Sequence, residues 1–183
     1  MARGLDDEAR WLLLPEPAFM HPDFEIEIPG TTRTVLTPVL VKGDKATTLE
    51  KETYEQLGLN LDSIRRVARR SASSLLATLE PKVARDEQGV VAFAVLESES
   101  PGVAGTVLAP DFIDKFRDLL GPDLLVAIPN RFRVYVYPAL ASRFENTADL
   151  VLRDYELSAY PVSREVFRIT PDGLEAVGAF QDR

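Results

Sequence analysis

The chain has 183 residues, of which 45% are apolar and 27% are charged, and these proportions are typical of a globular protein with a sizeable core. Its 21 basic and 29 acidic side chains give a net charge of −8, which disfavours binding to nucleic acid or to an anionic membrane. It has no cysteine, no apolar run of the roughly 18–20 residues that span a bilayer and no secretory pattern at its N-terminus, so we expect a cytoplasmic protein.

The first residues are predicted to form an N-terminal arm, residues 1–22, attached to a single domain, residues 23–183. The apolar and acidic pattern of Asp6–Leu14 predicts one or two helical turns, which prolines at positions 15, 17 and 22 then end. We expect the arm to dock on the body or on a second subunit through its large apolar side chains, Trp11, Leu12 and Phe19. The arm therefore favours a homodimer.

Strands are predicted in pairs around short turns that recur at intervals of 44, 42 and 42 residues, with first members Gly43, Glu87, Pro129 and Pro171. Alternating apolar and acidic residues in Phe24–Ile28 predict a half-buried strand. The next strand, Thr34–Val41, contains Pro38, which predicts an edge position or a bulge. The remaining predicted strands form three hairpins: Lys82–Arg85 with Val90–Leu96, Leu124–Ile128 with Phe132–Tyr137, and Glu165–Ile169 with Leu174–Phe180. The second of these hairpins is the most apolar and is expected at the centre of the sheet.

Helices are predicted between the hairpins. The first helical region, Leu49–Leu79, is broken at Gly58, and Asn60 is expected to cap its second half. Further helices are predicted from Pro110 to Leu120 and over Ser142–Leu157. The pattern therefore predicts an α+β fold, in which successive hairpins form an antiparallel-dominated sheet and three main helices pack mostly on one face.

From about Leu49 to its end, the chain resembles the C-terminal part of the YtpQ-like family of uncharacterised bacterial proteins. The resemblance is carried by Ser63–Arg66, Gly105–Thr106, Leu124–Arg131 and Thr170–Leu174. The chain departs from the family pattern at Ser71, where an asparagine is expected, and at Phe132, where an acidic residue is common. Because the family has no established activity, the resemblance implies the order of the elements and no reaction.

The sequence contains no recognisable catalytic motif. The only histidine, His21, lies in the predicted arm and is interpreted as a surface residue. Neither a phosphate loop with Gly-Lys-Ser/Thr, a dinucleotide glycine fingerprint, a Gly-x-Ser-x-Gly nucleophile nor a calcium loop is present. We therefore predict no catalytic residues, no metal ligands and no cofactor.

A basic stripe occupies the long helix, where Arg65 and Arg69, and likewise Arg66 and Arg70, are four residues apart. Like charges at this spacing repel each other on a helix, and nearby carboxylates relieve that repulsion. The main interpretation is a solvated or salt-bridged face. The alternatives are a docking patch for an acidic partner or for RNA, although the helix lacks aromatic side chains on which bases would stack.

Two other segments are candidate binding elements. Pro129–Arg131 is typical of a hairpin turn, since Asn130 tolerates a left-handed conformation, and Arg131 is also able to bind a carboxylate with two hydrogen bonds. The amides of Gly102–Thr106, just before a helix, are able to hold an anion. Glu97 and Glu99 would repel a phosphate, so the segment Glu97–Thr106 is interpreted first as a mobile connector.

The leading functional hypothesis is a non-enzymatic protein-interaction or scaffold module with a partner yet to be identified. The alternative is a small-molecule or anion binder, or an enzyme, that uses Arg131 and the Gly102–Thr106 loop. The candidate binding residues over both hypotheses are Arg65, Arg69, Gly105, Thr106, Asn130 and Arg131.

Overall fold

The computed structural model describes residues 9–140 and 147–181, and in these ranges the chain forms ten β-strands and four α-helices. The strands are β1 (Arg10–Pro17), β2 (Ile26–Glu27), β3 (Thr34–Lys42), β4 (Lys45–Thr48), β5 (Lys82–Arg85), β6 (Val91–Glu97), β7 (Leu124–Asn130), β8 (Arg133–Pro138), β9 (Glu165–Thr170) and β10 (Gly173–Ala179). The helices are α1 (Lys51–Gln56), α2 (Leu61–Thr78), α3 (Phe112–Leu120) and α4 (Ala148–Glu156). The predicted α+β fold is confirmed.

All strand pairs in the described ranges are antiparallel, and they form two sheets. The larger sheet has six strands in the order β10-β9-β7-β8-β6-β5, so the hairpin of β7 and β8 lies at its centre as predicted. The smaller sheet has four strands, with β3 paired to β1 on one side and to β2 and β4 on the other.

The predicted helical turns in Asp6–Leu14 are wrong over the residues that the structure describes. Strand β1 pairs along its whole length with β3, from Arg10 opposite Val41 to Pro17 opposite Thr34. Leucines 12, 13 and 14 are all buried, and a short apolar run buried on both faces is typical of a strand. The prolines at positions 15 and 17 are compatible with β1 because it is an edge strand. Residues 6–8 of the predicted helical segment lie outside the described residues.

The expected edge position or bulge at Pro38 is also wrong, because β3 is the central strand of the smaller sheet. The carbonyl of Pro38 accepts a hydrogen bond from the backbone N–H of Leu49 at 2.9 Å, so its backbone polar groups face the β4 side. On that side of β3, pairing with β2 stops at Leu36 and pairing with β4 starts at Val39. Pro38 therefore lies at a gap between two partner strands, where the lack of a backbone N–H removes no hydrogen bond from the sheet.

The helices form largely as predicted. The Asn60 carboxamide oxygen caps α2 by accepting from the N–H groups of Asp62 and Ser63, at 2.9 and 3.2 Å. The helical region is interrupted between α1 and α2 as predicted, and Gly58 in this connection adopts a left-handed conformation with φ 56°. The predicted third helix is α4, which begins at Ala148, while residues 142–146 of that prediction lie outside the described residues.

The six-stranded sheet is covered on both faces. One face packs against α3, the smaller sheet and α2 in a single apolar core that includes Leu14, Leu76, Phe112, Phe116 and Val136. The other face packs against α4 in a second apolar cluster that includes Tyr135, Tyr137 and Val151. Two of the three main helices thus lie on one side of this sheet and the third lies on the other.

The segment Glu97–Thr106, interpreted from sequence as a mobile connector, contains a buried element instead. Residues Val103–Leu108 form a 3-10 helix, and Val103, Ala104, Gly105, Thr106 and Val107 are all buried. Its side chains belong to the core that the two sheets share. The interpretation failed because Glu97, Ser98 and Glu99 made the segment appear polar, whereas the five buried residues that follow are small and apolar enough to be enclosed.

Candidate functional site

Arg131 lies in the turn between β7 and β8, and its side chain is already engaged within the protein. Its Nε donates to Glu16 Oε1 at 2.7 Å, and the two side chains are only 14% and 7% exposed. The guanidinium also lies over the Tyr160 ring, 5.3 Å from the ring centroid. Arg131 is therefore held by a carboxylate from β1 and by an aromatic ring, and it does not point to solvent.

Burial raises the pKa of the Glu16 carboxyl above its ordinary value, whereas the hydrogen bond and the charge of Arg131 act in the opposite direction. Glu16 belongs to the smaller sheet, and Arg131 belongs to the hairpin at the centre of the larger sheet. The pair therefore joins the two sheets at this end of the molecule.

The loop that contains Gly105 and Thr106 meets the Arg131 turn through one backbone hydrogen bond, which Ala104 makes. The N–H of Ala104 donates to the Arg131 carbonyl at 3.1 Å, and the Thr106 hydroxyl donates to the Val103 carbonyl at 2.7 Å. A Cβ atom at position 105 would lie 2.9 Å from the Leu13 carbonyl oxygen. The loop is packed against β1, and Gly105 and Thr106 are both buried, so the site predicted at Arg131 and Gly102–Thr106 stays a prediction on residues that the core encloses.

Asn130 lines an open cleft of about 450 Å³ on the other side of the turn. Its carboxamide accepts from the Phe132 N–H at 3.0 Å and donates to the Asp154 carbonyl at 3.1 Å. Both functions of the side chain are thus used to hold the turn against α4. The other residues that line the cleft are Glu97, Ser98, Glu99, Phe132, Arg133, Asp154, Leu157 and Ser158.

The charged groups of this cleft are largely paired with one another. Arg133 donates to Asp154 Oδ2 at 2.6 Å and lies 2.8 Å from Glu97 Oε2, while Lys82 pairs with the other oxygen of Glu97. The hydrogen bond from Lys82 lowers the pKa of the Glu97 carboxyl, and partial burial opposes that change. Burial, together with a hydrogen bond to Asp154, raises the pKa of Tyr135 to about 12. Arg133, the only cation among the described residues that line the cleft, is therefore already held by two carboxylates, and Glu99 adds a further negative charge to the lining.

Arg65 and Arg69, by contrast, line a second pocket that the sequence did not reveal. The pocket has a volume of about 340 Å³ and lies between α2, strands β2 and β3, and the turn from β9 to β10. We call it the α2 groove. Its apolar lining residues are Leu13, Ile26, Ile28, Pro29, Leu36, Leu108 and Leu174, and its charged residues are Glu27, Arg65, Arg69 and Asp172.

The arginines of α2 differ in how far they are neutralised. Arg65 has a partner in Asp62, at 3.5 Å, but both side chains are substantially exposed, and such surface pairs contribute little. Arg66 donates to the Ser63 hydroxyl at 3.2 Å. Arg69 is half-buried at the groove, and no described residue forms an ion pair with it. The face that was predicted to be solvated or salt-bridged therefore includes Arg69, whose guanidinium is partly buried and forms no ion pair with a described carboxylate.

Sequence reasoning found the stripe but missed the groove. The walls of the groove come from β1, β2, β3, α2, the 3-10 helix and the β9–β10 turn, which are spread over most of the chain. The only signal of the groove in the sequence was the position of the arginines around the helix relative to its buried face. Arg65 and Arg69 are one and five residues after buried Ile64, whereas Arg66 and Arg70 point further from the core.

The chain matches no protein-family model, and no curated protein or solved structure shows significant similarity to it. None of the helices in residues 9–140 and 147–181 has the length and apolar character of a membrane span. Within the same ranges, no three His, Asp or Glu side chains converge as the ligands of a metal ion would.

Proposed function

We propose that this chain is a protein-interaction module that uses the α2 groove to bind an acidic segment carrying one apolar anchor residue. The observation that carries the proposal is the position of Arg69, which is half-buried at the edge of an apolar pocket and has no ion-pair partner among the described residues. A ligand that supplies both a carboxylate and an apolar group satisfies both halves of this site.

The chemistry of the groove suits a peptide anchor. A planar guanidinium binds a carboxylate through two parallel hydrogen bonds, and partial burial strengthens that interaction. An apolar side chain that fills a desolvated pocket is the usual dominant contact of a protein interface. Glu27 and Asp172 lie on the walls opposite α2, so they favour an orientation in which the acidic part of the partner faces the arginines.

A protein partner is favoured over RNA. The chain carries a net charge of −8, and α2 contains no aromatic side chain on which a base would stack. The proposal also includes no chemical step, because the described residues that line the groove do not pair a nucleophile with a general base. The resemblance to YtpQ-like proteins, a cytoplasmic location and a homodimer stay predictions that accompany this proposal.

The proposal is tested by selecting ligands for the full chain from a random peptide library displayed on phage. We expect enriched sequences to place a large apolar residue beside two or more acidic residues. Binding of these peptides, followed by fluorescence anisotropy, is expected to fall at least tenfold in Arg65→Glu/Arg69→Glu and to weaken with salt.

The matched control is Arg66→Glu/Arg70→Glu, which changes the net charge equally on the same helix but outside the groove. This variant is expected to retain most of the affinity. If both double variants lose binding to the same extent, recognition is a general charge effect and the groove is not the site. Enriched peptides without acidic residues would also overturn the proposal.

A further inference from the structure

The C-terminal end of α4 exposes the kind of chemistry that the α2 groove is proposed to bind. Leu157, which ends the helix, is 80% exposed, and Glu156 directly before it is exposed as well. We propose that residues 156–160, which we call the α4 end, bind in the α2 groove of a second copy of this chain. This inference names the partner of the groove and therefore rests on the function proposed above.

Apolar surface is concentrated at the α4 end. Tyr160, three residues after Leu157, is 52% exposed, and the centroid of its ring lies 5.9 Å from that of Phe132. Phe132 and Leu157 both line the open cleft, together with three carboxylates and one guanidinium. Apolar side chains that are grouped in this way and bordered by charged groups are typical of a protein interaction site. Transfer of Leu157 from water to the apolar part of the groove therefore favours association.

The charges of the α4 end match those of the α2 groove in both signs. The groove has two arginines on its α2 wall and two carboxylates on its other walls. Glu156 and the carbonyl groups of the last helical turn, which carry a negative partial charge, are attracted to the arginines. Arg153, the basic side chain in that turn, is attracted to the two carboxylates. Glu156 thereby supplies the carboxylate that Arg69 lacks among the described residues.

The α4 end and the α2 groove lie on opposite faces of the six-stranded sheet and at opposite ends of its strands. The core on one face includes residues of α2, and the cluster on the other face includes residues of α4. Asn130, beside the α4 end, forms a β-bridge with Pro161 before β9, whereas the groove is bounded by the turn after β9. Strand β9 has six residues and a length of about 20 Å.

This placement determines the kind of assembly. The α4 end is out of reach of the groove of its own molecule, so the contact is made between copies. It joins two different surfaces, and each bound molecule still presents one unused groove and one unused α4 end. Repetition of such a contact produces a head-to-tail chain, or a ring if the rotation between neighbours closes.

The first experiment measures self-association of the full chain by analytical ultracentrifugation. We expect the average mass of the wild type to rise with protein concentration at low salt and to fall when salt is added. The groove variant, Arg65→Glu/Arg69→Glu, and the end variant, Glu156→Gln/Leu157→Ser, are each expected to associate about tenfold more weakly than wild type, or less. The substituted residues of the end variant are exposed, so its fold is expected to be unchanged.

A mixture of the two variants gives the decisive result. The groove variant keeps an intact α4 end, and the end variant keeps an intact groove. Together they form one productive contact and no second one, so we expect a heterodimer that does not grow further. A contact between two identical surfaces would not be restored by mixing.

Each variant has a matched control. Glu87→Gln/Val90→Ser removes one exposed carboxylate and one exposed apolar side chain in the turn between β5 and β6, where Val90 is 61% exposed. Arg66→Glu/Arg70→Glu reverses two charges on α2 outside the groove. Both controls are expected to assemble within about twofold of wild type.

The second experiment locates the α4 end in the groove. Because the chain has no cysteine, Ala159→Cys provides a unique attachment site for a nitroxide spin label. When this copy is mixed with an isotopically labelled, unmodified copy, we expect the methyl NMR signals of Leu36 and Leu174 in the groove of the second copy to broaden. The groove variant as the second copy, or a label at Glu87→Cys on the first, is expected to leave both signals sharp. Sharp signals in the unmodified second copy would reject the inference.

The ultracentrifugation results can overturn the inference in three ways. The first is a wild type that stays monomeric up to millimolar concentrations at low salt. The second is assembly that persists unchanged in the groove variant or in the end variant, since it would then use another surface. The third is a mixture of the two folded variants in which no heterodimer forms.

The two proposals fail in distinguishable ways. Selected peptides that bind through Arg69 to a chain that stays monomeric would reject the inference and leave the proposed function intact. Failure of every selected peptide to depend on Arg69 would reject the proposed function, while the spin label at position 159 still reports whether the α4 end occupies the groove.

Discussion

Glu16 and Arg131 are 115 residues apart in the sequence and form a buried ion pair with an Nε–Oε1 distance of 2.7 Å. Glu16 lies in β1 of the smaller sheet, opposite Val35, and Arg131 lies in the turn between β7 and β8 of the larger sheet. The pair therefore fixes how the two sheets meet. It also engages the guanidinium that the sequence analysis considered as a ligand for a carboxylate.

We predict that Arg131→Met lowers the free energy of unfolding by about 3–5 kcal/mol at neutral pH, because it leaves the Glu16 carboxylate buried without a counter-charge. Urea unfolding followed by circular dichroism measures the change. Arg168→Met is the control, since Arg168 is exposed on β9, and we expect it to stay within about 0.5 kcal/mol of wild type. A loss of the same small size in both variants would show that the pair does not hold the sheets.

The destabilisation by Arg131→Met is expected to depend on pH. Burial already raises the pKa of Glu16, and the removal of Arg131 raises it further. The folded state then holds the Glu16 proton at pH values where the unfolded state has released it, so the contribution of Glu16 favours folding in acid and is lost as the pH rises through the raised pKa. The loss of stability should therefore be smaller in mildly acidic buffer than at neutral pH, and in Glu16→Gln/Arg131→Met this dependence should disappear.

A second contact between the sheets centres on the buried carboxylate of Glu165 in β9. Oε2 accepts hydrogen bonds from the hydroxyls of Thr34 at 2.5 Å and Thr31 at 2.7 Å, and Oε1 accepts from the Thr32 N–H at 3.2 Å. Thr34→Val keeps the shape of the side chain but removes one donor to a buried charge, and we predict a loss of about 1–3 kcal/mol. Thr32→Val keeps the backbone donor and should be nearly neutral. Equal thermal unfolding midpoints for the two variants would contradict this role for Glu165.

The sequence predicted those parts of the fold that depend on neighbouring residues. Three hairpins formed where turn residues separate apolar runs, and α2 began at the cap that Asn60 provides. The predicted turn at Gly43 also joins two strands, although the second of them, β4, was not predicted. The reason is physical: a turn or a helix cap involves residues within four positions of one another, so its chemistry is visible in a short window of sequence.

The errors have the opposite origin, since each depended on a distant partner. Leu12–Leu14 fits a helical turn or a buried strand equally well, and only pairing with β3 decides between them. The sequence analysis considered Arg131 as a ligand for a carboxylate, but it could not show that Glu16 of β1 is a carboxylate that it contacts. The α2 groove likewise forms only when β2, β3 and the β9–β10 turn come together against Arg69.

Gly105 provides a test of the packing between the 3-10 helix and β1. A Cβ atom at this position would lie 2.9 Å from both the Leu13 carbonyl oxygen and the Leu14 Cδ2 atom. We predict that Gly105→Ala costs about 1–3 kcal/mol, because the core must shift to admit the methyl group. Gly178→Ala is the matched control, since no atom lies within 4 Å of its added Cβ. Comparable urea midpoints for the two variants would show that the 3-10 helix is more loosely packed than the distances indicate.

The raised pKa of Tyr135 leads to a prediction of how the free energy of unfolding changes at alkaline pH. Its hydroxyl donates to Asp154 Oδ2 at 2.6 Å, and burial together with this contact raises its pKa from 10.0 to about 12. Between these two values the unfolded state releases the tyrosine proton while the folded state retains it, so the free energy of unfolding must fall as the pH rises. We expect Tyr135→Phe to be less stable than wild type at neutral pH, because Asp154 loses a hydrogen bond, and to show a shallower decline in alkali. Urea unfolding at several alkaline pH values gives the slopes, and parallel slopes for the two proteins would mean that Tyr135 ionises in the folded state as readily as in the unfolded chain.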